Sequence, residues 1–426
     1  MQPSHYRLHC LACGKTLPES ETDFHLQCDE SHEPALLRAV YESGSLQVED
    51  AQSGLFRYRQ WLPVRRTLDA SAGPVVYRSR GLAEHLGLDR LFVVFSGYWP
   101  EKGALQETCS FKEQEAPPVL ARIPEGTDRR LVVASAGNTA RAFMQAASMN
   151  AVPLTVVVPE FALPAMWITV PRHPCVQMVM LKDADYLDAI KLGAIVAGLD
   201  GYFPEGGAKN VARRDGMGTS VLAAAEAIGE IPQHYVQAVG SGTGGVAAWE
   251  MSKRLLADGR FGDRPMTLHL AQNAPFSIMT DAWKAGTRQL AEMDEEDARR
   301  RALSIYAPVL SNRRPPYAVT GGVFDALTDS CGHMYAVGND EARAAAALFE
   351  QLEECDPDPA AAVAVAALRQ AVETGAIGKG DLTLLNMTGG GYKRIEAEGR
   401  KAFLEPDVVF APDEVDEDIV KERLSA

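Results

Sequence analysis

The sequence has no long hydrophobic run. Stretches such as Leu131–Ala134 and Val152–Pro159 are of strand length, far short of the about 20 apolar residues a membrane-spanning helix needs, so no membrane partner is expected. Basic residues are not in excess either. Lys and Arg number 42 against 57 Asp and Glu, a formal charge of −15. This argues against nucleic acid as a partner, which requires a basic face to neutralise phosphates, but leaves room for a local basic pocket that takes a small anion. Met1–Cys13 lacks the apolar core of an export signal. The expected location is the cytoplasm, with reduced thiols. Cysteine is sparse, at seven residues. What remains is an ordinary globular composition, 46% hydrophobic and 23% charged, in a chain long enough for two or three domains at about 100–200 residues each.

The few cysteines are unevenly spread. Cys10, Cys13 and Cys28 lie near the start, whereas Cys109, Cys175, Cys331 and Cys355 are isolated. A C-x-x-C pair followed by a third cysteine reads as a zinc ribbon or its remnant. The second C-x-x-C is missing, and His32 is the candidate fourth ligand, with His25 and His9 also near. The alternative is a knuckle that folds without metal. In either case the expected role is structural.

An irregular arm with the aromatic stretch Phe56–Pro63 runs to about Ser71. Strand and helix signals then alternate. Apolar runs at 91–95, 130–134, 152–158, 176–181, 235–239, 266–271 and 382–387 suit strands buried on both faces of a parallel sheet. Helical patterns lie at 81–87, 140–149, 185–197, 246–256, 342–354 and 360–373. This is an α/β chain with open sheets. The acidic segment from Glu405 reads as a surface wrap or a partly loose tail.

Three turns and one lysine carry chemistry. Gly240-Ser241-Gly242-Thr243-Gly244-Gly245 follows an apolar strand and opens a helix, a cradle whose free N–H groups suit a phosphate. The letters also fit a dinucleotide fingerprint. The following strand, however, ends in Gln272-Asn273 rather than in an acid for a ribose hydroxyl. A phosphate cradle without a nucleotide signature points to pyridoxal phosphate, which requires a lysine. Lys112, two residues after the prospective helix cap Ser110, is the candidate. Gly137-Asn138-Thr139, at a second strand-to-helix turn, offers N–H groups for a substrate carboxylate and an asparagine for a ring oxygen. Thr388, before three glycines at a strand end, offers a hydroxyl for a pyridine nitrogen. A hydroxyl there leaves the nitrogen mostly unprotonated, which suits β-elimination and β-replacement rather than transamination.

Ser110-Phe-Lys112, Gly137-Asn-Thr139, the 240–245 cradle and the Thr388-Gly-Gly turn resemble the fold-type II, pyridoxal-phosphate-dependent threonine synthase group, and within it the cysteate synthases. The likeness runs from the Cys10/Cys13 knuckle to about Arg394. It implies a tryptophan synthase β-like fold, with two open twisted sheets and flanking helices. A zinc-ribbon-like extension would occupy residues 1–35, a large cofactor domain 36–105 and 220–400, a small mobile domain 106–219 and a tail 401–426. The implied reaction belongs to coenzyme M biosynthesis. O-phospho-L-serine would lose phosphate to give an aminoacrylate, and sulfite would add to it to give L-cysteate. Lys112 would hold the cofactor and move the Cα proton. Asn138, the residues of the cradle and Thr388 would bind the cofactor. Ser135, Asn138 and Thr139 would line the substrate carboxylate. Lys102, Arg141, Lys209 and Arg213 are candidate anion contacts, with Lys209 and Arg213 sharing a face if that stretch is helical. A homodimer is implied too. Two positions depart from the family pattern: Ala140 stands where glycine is expected and Gln114 where leucine is expected. Related enzymes that could share these motifs are a β-eliminating coenzyme M synthase acting on cysteine and sulfoacetaldehyde, and threonine synthase. A non-enzymatic metabolite sensor is the reading from outside the enzyme class.

Overall fold

A computed structural model describes residues 5–20, 23–69 and 72–425, so Ser71, where the arm was expected to end, lies outside the described residues. Two open sheets dominate. The larger runs, strand by strand, His333–Val337, Thr267–Asn273, His234–Ala238, Thr383–Met387, Leu91–Phe95 and Val75–Arg78. Its pairs are parallel except the last, where Val75–Arg78 is antiparallel to its neighbour. The smaller runs Tyr202–Pro204, Arg130–Ala134, Leu154–Pro159, Val176–Leu181 and Val408–Phe410, all parallel. The apolar runs read as two-faced strands are buried as such, and every residue of Leu154–Pro159 is buried. No described helix is long and apolar enough to cross a membrane.

The segment expected as a surface wrap or a partly loose tail is built in. Val408–Phe410 forms the outer strand of the smaller sheet, and Phe410 and Val420 are fully buried against the helix Tyr186–Gly198. The N-terminal extension is a three-stranded antiparallel sheet of Tyr6–Cys10, Thr16–Pro18 and Leu37–Tyr41. It extends past residue 35.

The pattern of apolar residues did not reveal the helix Val211–Ile228. Thirteen of its 18 residues are buried, around nearly its whole circumference, so it has no amphipathic stripe to read. Gly216 shows why the packing is so close. A Cβ there would lie 2.0 Å from the carbonyl oxygen of Gln114, so only glycine lets this helix rest on the turn that carries Lys112.

Candidate active site

In open parallel sheets, ligands sit beyond the carboxyl ends of the strands, where neighbouring connections diverge. Each sheet has one such point. In the larger it falls between His234–Ala238 and Thr383–Met387, and in the smaller between Arg130–Ala134 and Tyr202–Pro204. The glycine turn leaves the first strand and Thr388 follows its neighbour. Val236 pairs with Leu385, so continuing that register sets Thr388 opposite Val239, about 5 Å away and just before the cradle. Gly137-Asn138 lies at the divergence point of the smaller sheet.

Lys112 is brought to the same edge by backbone bonding. The Phe111 N–H donates to the Thr388 carbonyl at 3.0 Å, and Ser110 bridges to Gly389. The local helix differs from expectation. Phe111–Gln114 is a single 3-10 turn, and Ser110 occupies the capping position without forming a side-chain cap. Its hydroxyl is buried without a partner among the described residues. A short turn has little dipole, so a carboxylate holds the amine instead. Lys112 Nζ lies 3.0 Å from Oε2 of the fully buried Glu115. Arg213 spans Glu115 at 3.4 Å and Glu205 at 2.8 Å. Burial works against the Arg213 charge, but these two carboxylates hold its pKa above the ordinary arginine range. Burial pushes the Glu205 carboxyl up.

The 240–245 turn opens a 16-residue helix, Thr243–Asp258, whose cap is Gly242 at φ +80° with no side-chain cap. First-turn N–H groups have no partner within the helix, so those of Gly244 and Gly245 point out of it. Thr243 N–H donates to Ser241 Oγ at 3.3 Å, and the Ser241 and Thr243 hydroxyls lie 2.7 Å apart. A Cβ on Gly242 would lie 2.2 Å from a Val323 methyl. Free N–H groups, a glycine-lined cradle, a nearby amine and a strand-end hydroxyl are the donor set that pyridoxal phosphate requires. Gly240–Gly245 would take its phosphate, Lys112 its aldehyde carbon and Thr388 its ring nitrogen.

Asn138 reaches the cleft on a network that the sequence did not announce. Its Oδ1 accepts from Arg141 at 2.7 Å and from the Tyr392 hydroxyl at 3.4 Å, and its Nδ2 donates to Asp358 at 3.4 Å. Tyr392 also donates to Asp358 at 3.0 Å. Asp358, Tyr392, Pro308, Val309 and Pro359 line a cavity of about 210 Å³. Its walls meet all three turns. Val309 stands 3.3 Å from where a Cβ on Gly137 would be and 2.9 Å from one on Gly240, and Asp358 stands 2.7 Å from one on Gly389. Ser135 Oγ accepts from the Gly137 N–H at 3.3 Å and so shapes this turn. Thr139 lies half-buried in the first turn of the helix Asn138–Asn150.

None of the four expected anion contacts offers a free cation: Arg213 is taken up by Glu115 and Glu205, and the other three are placed otherwise. Arg141 is buried, and its guanidinium bonds the Thr108 and Ala165 carbonyls, Asn138 and Tyr392 while stacking on Trp167. It positions Asn138 rather than offering a free fork. Lys102 is exposed, with its ammonium over Tyr77 and Trp99, and Tyr77 belongs to the edge strand of the larger sheet. Lys209 is exposed and donates to Gln27 at 3.4 Å. It ends a separate 3-10 turn before the Asn210 cap, so it shares no helical face with Arg213. Of the unexpected neighbours, Glu115 alone was legible, three residues beyond Lys112. Glu205, Asp358 and Tyr392 come from distant segments and carry no local signal.

Of the two departures, Gln114 has a clear use. Its amide donates to Ser96 Oγ at 2.6 Å and accepts from Ser220 at 2.7 Å and Thr219 at 3.3 Å. A leucine could make none of these bonds. Ala140 is fully buried. At the other end of the chain, the ligand atoms of Cys10, Cys13, Cys28 and His32 all lie within 4.8 Å of one another.

Comparison with known proteins agrees with this geometry. The family described as pyridoxal-phosphate dependent enzyme matches residues 76–389. A cysteate synthase from Methanoculleus marisnigri is 52% identical over 403 residues, covering 94% of this chain and 92% of that protein. One from Methanosarcina acetivorans is 47% identical over 410 residues, covering 96% and 97%. Among solved structures, maize serine racemase superposes with a TM-score of 0.56 at 15% identity, over 76% of this chain and 93% of that one. Serine racemase from Dictyostelium discoideum gives 0.53 at 18%, over 75% and 92%. These last two share the fold. The chain thus belongs to the pyridoxal-phosphate-dependent enzymes of the fold-type II class, in the family of the cysteate synthases.

Proposed function

We propose that the chain converts O-phospho-L-serine and sulfite to L-cysteate and phosphate, as a step of coenzyme M biosynthesis. The Cβ–O bond to phosphate breaks and a Cβ–S bond forms. The observation that carries this reading is the meeting of Lys112, the Thr388 turn and the glycine cradle at one sheet edge, in a chain about half identical to relatives named cysteate synthase. Pyridoxal phosphate, when bound, supplies the electron sink that lets the Cα proton and the β-substituent depart.

The residues of the chain do the rest. Lys112 takes the Cα proton, and Glu115, 3.0 Å from its nitrogen, holds the resulting ammonium. The Ser135–Thr139 turn presents N–H groups to the substrate carboxylate. Asn138, fixed by Arg141 and Tyr392, would bind the ring oxygen of the cofactor. Pro308, Val309 and Pro359 wall the cavity and restrict water there, which matters for a step that water would divert. Closure of residues 106–219 on the larger domain completes the wall, and the ion pair between Arg313 and Asp185, at 2.8 Å, would latch it. The same reading has the enzyme in the cytoplasm as a homodimer.

Purified holoenzyme given phosphoserine and sulfite should release phosphate with continued turnover, with cysteate as the product. Failure of that mixture, with turnover of cysteine plus sulfoacetaldehyde, would reassign the chain to a β-eliminating sibling. Lys112→Ala should lose borohydride trapping of the cofactor on the chain, and persistence of trapping would show that another lysine serves.

A further inference from the structure

The N-terminal extension supplies none of the residues proposed above to act on substrate or cofactor, yet it assembles four soft or borderline donors at one point. We propose that Cys10, Cys13, Cys28 and His32 bind one zinc ion in a closed tetrahedral site, and that this ion fastens the loop 23–32 onto the turn Glu205–Asn210 beneath Lys112.

The geometry fits zinc. With Zn–S at about 2.3 Å and Zn–N at about 2.0 Å, a tetrahedron has S···S edges near 3.8 Å and S···N edges near 3.5 Å. Cys13 Sγ and Cys28 Sγ are 3.7 Å apart, and Cys10 Sγ and His32 Nε2 are 3.2 Å apart. The backbone is shaped for it. Cys10 ends a strand, its N–H donates to Lys15 O at 2.8 Å, and Gly14, at φ +76°, donates back to Cys10 O at 3.0 Å. This tight knuckle turns Cys10 and Cys13 to one side. His32 has its other ring nitrogen, Nδ1, 2.7 Å from the Glu33 carbonyl oxygen. That bond fixes the tautomer with the Nε2 lone pair free for a metal, the outer contact typical of ligating histidines. Lys15 pairs with Asp29 and Glu30, tying the knuckle to the loop that carries Cys28. Four protein ligands leave no open position, so the site is structural rather than catalytic.

The second half of the inference follows from what the loop touches. Leu26 occupies the space beside Gly206, where a Cβ would lie 2.4 Å from its methyl group. Phe24 packs edge-on against Phe203 at 5.4 Å. Arg122, fully buried and paired with Glu19, donates to the His25 carbonyl at 2.7 Å and to Asn210 at 2.9 Å. The turn under the loop presents Glu205, which holds Arg213, which faces Glu115 beside Lys112. Loosening the loop therefore loosens the support of the lysine.

The test is metal analysis of the full-length protein purified without a metal-affinity step. About one zinc per chain is expected, falling at least tenfold in Cys13→Ser/Cys28→Ser. Absence of metal, iron in place of zinc, or full zinc retention in the double variant overturns the site. If that variant fails to fold, the wild type decides. Thiol titration should count fewer reactive cysteines before a strong chelator than after it. A count that the chelator leaves unchanged but a reductant raises would mean a disulfide between Cys13 and Cys28 and would overturn the proposal. Chelation should also lower the midpoint of thermal unfolding and speed proteolysis within 23–32. Unchanged values for both would overturn the bracing role.

Discussion

Replacing Arg213 with methionine should be among the most damaging single changes near the site. Its side chain is 11% exposed, between Glu115 at 0% and Glu205 at 6%. Removing one member of a buried ion pair leaves an uncompensated charge and costs about 3–5 kcal/mol. Here two carboxylates are involved. Glu115 keeps Lys112, so Glu205, left with the Gly207 N–H at 2.8 Å, bears most of the loss. Burial already pushes the Glu205 carboxyl up, and loss of the cation pushes it further. A carboxyl whose folded pKa exceeds its unfolded value binds protons more readily in the folded state, so stability is recovered as pH falls through the folded pKa. The deficit of Arg213→Met should therefore be largest near pH 8 and shrink toward pH 5. Adding Glu205→Gln should restore part of it. Urea unfolding followed by tryptophan fluorescence and circular dichroism at several pH values measures this. A deficit below about 1 kcal/mol, the scale of an exposed pair, or one that grows on acidification would refute the reasoning.

Gln114→Leu should cost about 2–4 kcal/mol, because it strands the Ser96 and Ser220 hydroxyls, and a buried unsatisfied group costs about 1–3 kcal/mol. Equal urea midpoints for variant and wild type would count against it. Gly242→Ala forces a side chain to φ +80° and against Val323. Left-handed strain alone is roughly 1–2 kcal/mol, so apoprotein titrated with pyridoxal phosphate should bind at least about tenfold more weakly, and unchanged affinity would remove the cradle from the cofactor site. His269 is fully buried, bonded to His234 and Tyr335 and stacked on His333. Burial, with the two neighbouring imidazoles, drives its pKa down to about 2. The unfolded chain then binds the extra proton below about pH 6.5, so stability should fall by about 2 kcal/mol between pH 6.5 and 5. In His269→Phe that slope should flatten, and an undiminished slope would place the titration elsewhere.

Local chemistry was readable in the sequence wherever a feature is itself local. The two-faced strands appear as unbroken apolar runs because both of their faces are buried. The glycine cradle and the Cys10/Cys13 knuckle are contiguous turns, legible because backbone shape depends on neighbours a few residues away. Lys112 was singled out because the cradle implied a lysine. Features made by distance were hidden. The strand Val408–Phe410 read only as part of an acidic surface wrap or partly loose tail, since three residues carry no periodicity, and its pairing with Val176–Leu181 gives it a place. The helix Val211–Ile228 was masked by being buried nearly all round. Arg141 and Lys209 looked like anion contacts because a sequence shows a charge but not its partners. Asp358 with Tyr392 and Glu205 became visible only once strands far apart in the chain ended at the same edges. Composition and short motifs determine what each segment can form. Which side chains face one another across a cleft is decided by the crossover connections of the two sheets, and those exist only in the folded chain.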